Sequence, residues 1–114
     1  MILVYKILPE TNWRDAEALG VFAGAGVDLA DGFIHFSTRA QVEETAARYF
    51  SGVADLLLVA VDAERLGAAL RWEPSRGGDL FPHLYRPLAL DEVARVDPLP
   101  MRDDGSHDFS GLLA

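Results

Sequence analysis

The residues best suited to chemistry are two histidines far apart in the chain, a lone carboxylate and a pair of adjacent hydroxyls. His35 precedes Ser37 and Thr38 in the stretch 31–38, and His83 follows Phe81 and Pro82. An imidazole both donates and accepts, and it titrates near neutral pH, so either ring suits a ribose hydroxyl, a phosphate or proton transfer. Read as a strand, 33–38 turns Phe33, His35 and Ser37 to one face and Ile34 and Phe36 to the other. On extended backbone Tyr85 shares the face of His83. Glu73 stands between Trp72 and Pro74, partly apolar company that raises a carboxyl pKa and suits a general base or an acceptor for a sugar hydroxyl.

Each of these residues also has a structural reading. His35 can be a core histidine satisfied by backbone, and His83 and Tyr85 can belong to a packed aromatic cluster. Glu73 can pair with Arg71, Arg76 or Arg86. Lys6 is the single lysine on an otherwise apolar strand; it either snorkels at an edge, the plainer expectation, or points into a cleft to meet an anion. Trp13 anchors a first helix to the core or stacks on a base at a cleft rim. Ser37 and Thr38 read as a strand end and a helix cap, with a ligand hydroxyl contact as the alternative to nucleophilic chemistry. No histidine pair at helical spacing and no cysteine supports a metal site. His107 falls in an acidic tail and is expected to face solvent.

The elements that must hold these groups follow from patterning. Residues 2–8 alternate so that Ile2, Val4, Lys6 and Leu8 oppose Leu3, Tyr5 and Ile7, the pattern of a strand covered on both faces that Pro9 ends. A short helix over about 13–19 takes Thr11 or Asn12 as cap and Gly20 as stop. Residues 21–29 read as irregular loop before a turn at Asp31 and Gly32. A helix over 39–50 opens with a capping box from Thr38 to Gln41 and buries Val42, Ala46, Tyr49 and Phe50. The aliphatic run 56–61 is a central strand, 63–67 a helical turn, and 71–73, 84–88 and 93–96 short strands. Residues 75–80 form a mobile loop able to act as a lid.

These elements predict a single mixed α+β domain over 1–101, with a split sheet of about five to six strands and two main helices. Residues 102–114 read as an acidic, loosely attached tail. A net charge of −8 opposes a phosphate backbone and argues against nucleic acid, while local arginines still suit a small anionic or neutral metabolite. No apolar run approaches a membrane span and the start lacks a basic leader, so membrane insertion is not expected. The absence of cysteine suits a reducing cytoplasm.

The blocks 2–7, Trp13, 31–38 with Gln41, 71–73 and 81–85 occur in order at sensible spacing, and together they resemble the family called domain of unknown function 952. The resemblance spans nearly all of 2–99. That family is thought to be remotely similar to the ADP-ribosyltransferase fold, which implies a split sheet whose cleft grips NAD. It further implies a histidine or arginine on an early strand, an aromatic or serine-threonine element in the middle and a late acid. This chain departs from that scheme in offering Lys6 rather than histidine on its first strand, while Ser37 and Thr38 resemble the middle element and Glu73 stands loosely for the late acid. The functional expectation is a cleft of His35, Ser37, Glu73 and His83 that binds or acts on an NAD or ADP-ribose type ligand. The alternatives are a two-histidine phosphoesterase, for which His83 lacks the matching downstream hydroxyl, and a non-catalytic interaction module.

Overall fold

In a computed structural model, residues 2–113 are described; Met1 and Ala114, the outermost residues of the strand and tail expectations, lie outside them. The described residues form nine strands, β1 Leu3–Pro9, β2 Val21–Phe22, β3 Ile34–His35, β4 Ser37–Thr38, β5 Leu56–Asp62, β6 Leu70–Pro74, β7 Leu80–Leu84, β8 Leu88–Ala89 and β9 Val93–Leu99. Four α-helices accompany them, α1 Glu10–Leu19, α2 Val27–Asp31, α3 Val42–Tyr49 and α4 Ala63–Leu66. This is a mixed α+β single domain whose strand pairs among the described residues are antiparallel.

The strands exceed the expected five to six because they divide among three sheets, ordered β4-β1-β5-β9, β3-β7-β6 and β2-β8. The run 33–38 accounts for the division between the two larger sheets. Its first half pairs with β7 and its second half with β1, and Phe36 carries the chain across between them, its amide donating to Pro82 O at 3.0 Å.

β1 and β5 pair along their whole lengths, from Leu3 opposite Asp62 to Pro9 opposite Leu56. Alternation sends Val4, Leu8, Leu57, Val59 and Val61 into one core with Trp13 and Phe22, and Tyr5, Ile7, Leu56, Leu58 and Ala60 into a second with Val42 and Ala46 of α3. The four-stranded sheet is thus covered on both faces, as its apolar patterning requires.

Several boundaries differ from the sequence expectation. α1 begins at Glu10, not near Trp13, because Pro9 supplies a pre-set φ of −60° and Asp55 O accepts the Glu10 amide, so neither Thr11 nor Asn12 is needed as a cap. α3 starts at Val42; the Thr38 amide donates to Gln41 Oε1 at 3.0 Å, the reciprocal half of the expected box, before the helix begins. Tyr49 is exposed where burial was expected. The loop over 21–29 contains β2 and most of α2.

The segment after Met101 is packed rather than loose. His107 Nε2 donates to Val53 O at 2.7 Å and Phe109 enters the second core, so His107 is buried and does not face solvent. No helix among the described residues is long and apolar enough to cross a membrane.

Candidate functional site

The three-stranded sheet has two unlike faces. Ile34, Leu70 and Leu84 point into the first core, while Phe33, His35, His83, Tyr85 and Glu73 crowd the other side. His35 and His83 are direct register partners on β3 and β7, and their ring centres lie 5.3 Å apart. Residues 48 positions apart in sequence are thereby brought to one place, since antiparallel partners share a face. Phe33 covers both rings, at 4.5 Å from His35 and 4.3 Å from His83.

Each imidazole is held at Nδ1 by a carboxylate. His83 Nδ1 lies 2.9 Å from Glu73 Oε1, which also accepts from the Tyr85 hydroxyl at 2.7 Å. Those two bonds, that of Tyr85 first and that of His83 second, hold the Glu73 carboxyl below its ordinary value, opposite to the rise expected from its apolar neighbours. The same bond pushes the Tyr85 hydroxyl up. Glu73 does not pair with Arg76 or Arg86, which turn to Glu44 and Glu92. When Nδ1 donates to Glu73, the neutral ring presents its lone pair at Nε2. Nothing among the described residues bonds that nitrogen.

His35 is gripped from both sides. Its Nδ1 lies 2.7 Å from Asp28 Oδ1 and its Nε2 lies 3.0 Å from Asp31 Oδ2. Asp28 escaped the sequence reading because it sits in a stretch without periodicity, yet it is the most heavily bonded side chain of the region. It pairs with Lys6 Nζ at 2.8 Å and accepts from the Ala25 and His35 amides at 3.0 and 3.1 Å. Burial alone would raise its carboxyl, but the His35 bond and the Lys6 charge outweigh that and bring it down to about 2. Lys6 is correspondingly not a snorkelling edge residue: its side chain is nearly buried, and desolvation lowers its pKa against the pull of Asp28.

These groups border a hollow of about 710 Å³ where the two larger sheets part. Lys6, His35, Ser37 and His83 line it, together with Asp31, Thr45, Arg76, Tyr49, Phe50 and Phe81. Ser37 and Thr45 exchange a bond at 2.9 Å, and Arg76 reaches Thr45 at 3.4 Å while stacking over Phe81 at 4.9 Å. The expected lid loop is therefore tied down through Arg76, which also meets Glu44 at 3.2 Å.

Four expected site residues stand apart from this wall. Trp13 is buried against Phe22 and borders a separate depression of about 310 Å³, so it is a core anchor and not a rim for the hollow. Thr38 pairs with Val4 at the strand end. Glu73 and Tyr85 stand behind His83 rather than lining the hollow themselves. No group of three or more His, Cys, Asp or Glu among the described residues is arranged to hold a metal ion.

Residues 7–96 match a family described as protein of unknown function DUF952. The chain belongs to that family. Among solved structures this DUF952 chain is similar to the crystal structure of protein CC0527 from Caulobacter crescentus, with 53% identity over 97% of each chain and a TM-score of 0.94. It is also similar to the solution NMR structure of CC0527, with 54% identity, 100% of this chain and 98% of that chain covered, and a TM-score of 0.88. None of the curated proteins matches it.

Proposed function

We propose that the hollow binds a nucleotide-like ligand of the NAD or ADP-ribose type, and that His83 is the residue that touches its sugar or phosphate. The observation that carries this reading is the state of His83: Nδ1 committed to Glu73, Nε2 uncommitted, the ring on the wall of the hollow. A carboxylate-held imidazole with one open nitrogen is suited to accept or return a proton at a ligand hydroxyl. The hollow's volume lies in the range of small-molecule sites, roughly 300–1,000 Å³. Tyr49, Phe50 and Phe81 offer aromatic faces for a base, Arg76 offers donors for a sugar phosphate, and the Ser37 oxygen, whose proton goes to Thr45, can accept from a sugar hydroxyl. The resemblance to the ADP-ribosyltransferase fold expected from the sequence, which neither the fold nor the family match shows, points the same way as an analogy alone. In this reading Glu73 and Tyr85 are positioning residues that act through His83, and a cytoplasmic location fits a cysteine-free chain.

The two-histidine phosphoesterase reading gains from rings only 5.3 Å apart, but His83 is followed by Leu84 and Tyr85 and lacks the downstream serine or threonine hydroxyl that such a site pairs with each histidine. Calorimetric titration of NAD and ADP-ribose into the wild-type protein and His83→Ala tests the proposal. Heat from either nucleotide that His83→Ala abolishes is the expected result. Absence of heat in the wild type, with lost thermal stability in His83→Ala, would leave a purely structural role for the histidine.

A further inference from the structure

Among the residues lining the hollow, Asp31 is the single carboxylate, whereas the carboxylates that pair with Lys6, Arg76 and His83, namely Asp28, Glu44 and Glu73, stand outside the lining. The two carboxylates on His35 are held very differently. Asp28 has a fully buried side chain and is fixed by Lys6, the ring and two amides, whereas the Asp31 side chain is 48% exposed and meets His35 through one contact of 3.0 Å. An exposed pair of this kind contributes little, so Asp31 is the member that exchanges. It is also the last residue of α2, and can turn toward solvent while Asp28 stays in place.

We propose that Asp31 is an internal stand-in for the ligand: its carboxylate oxygen marks the position of a phosphoryl oxygen that displaces it from His35 Nε2. This rests on the hollow being the ligand site and names the group recognised there. The phosphoryl oxygen then accepts from His35 Nε2, whose Nδ1 stays on Asp28, and the displaced carboxylate moves out to water. Displacement makes anion binding competitive with Asp31, so removing that side chain strengthens it.

Pyrophosphate and malonate are titrated into wild type, Asp31→Ala and Asp31→Asn, with the histidine ring ¹⁵N resonances followed by NMR. Asp31→Ala is expected to bind pyrophosphate about tenfold more tightly at low salt, with the His35 resonances moving, and Asp31→Asn to fall between. Asp15→Ala removes the same charge from the exposed face of α1 and is expected to change nothing. Equal or weaker pyrophosphate binding in Asp31→Ala, or none in any protein, overturns the inference. Malonate gaining as much as pyrophosphate overturns the phosphoryl assignment in favour of carboxylates. Pyrophosphate behaving as expected while NAD and ADP-ribose give no heat would sink the nucleotide reading alone.

Discussion

At the scale of single residues, the site is organised by carboxylates more than by the histidines that first draw the eye. Asp28 joins β1, through Lys6, to β3, through His35, and its charge is therefore held in a place from which water is excluded. With a folded value near 2 against an ordinary 3.8, its contribution to stability is fully present above about pH 4 and is lost as pH falls toward 2, because in that window the unfolded chain binds more protons. Denaturant unfolding measured from pH 5 to pH 2 is expected to weaken steadily in the wild type. Asp28→Asn should start lower and flatten that slope; an unchanged slope would show that other carboxylates govern acid unfolding. Glu73 teaches the complementary lesson. Its apolar sequence neighbours suggested a raised carboxyl, but the partners that set its behaviour come from β7 and the residue after it, which local context does not reveal.

At the scale of elements, α2 is the part whose form decides whether the site exists. It is a five-residue helix whose described side chains are exposed apart from Asp28 and which ends at Gly32 with φ of 82°. Gly24, with φ of 124°, precedes it, and a Cβ there would meet the Asp28 Cβ at 2.9 Å, while at Gly32 a Cβ would meet nothing within 4 Å. Both glycines resist alanine through their backbone angles, at about 1 kcal/mol each. Only Gly24→Ala also crowds the buried carboxylate, so it is expected to lower the melting temperature further than Gly32→Ala and to disturb the His35 resonances. Equal effects would show that the close approach is relieved by a small shift. The strongly patterned elements, β1, β5 and the body of α3, were legible in the sequence because apolar spacing alone specifies them. α2 was not, since a short helix with one buried residue, and that one charged, carries no period. The joining of His35 to His83 was readable only as a shared face on each strand separately; the register that makes them partners is a long-range property.

At the scale of the whole molecule, residues 102–113 complete the second core instead of trailing from it. Phe109 packs with Tyr5, Ile7 and Leu99, and the Arg102 guanidinium holds the turn by donating to His107 O at 2.7 Å. Their polar, glycine-containing composition concealed this, because a single aromatic anchor leaves no periodic trace. Phe109→Ala is expected to cost about 3 kcal/mol in equilibrium unfolding, and a loss below about 1 kcal/mol would return the segment to the status of a loose tail.

The crossing at Phe36 also limits what the hollow can admit. One continuous run of backbone is stitched to β7 on one side and to β1 on the other, by two register pairs each. A guest thicker than the gap would have to unzip main-chain ladders rather than nudge side chains aside. The parting of the sheets is therefore set by main-chain ladders on both sides, and substitution of the residues that decorate its jaws leaves its width in place.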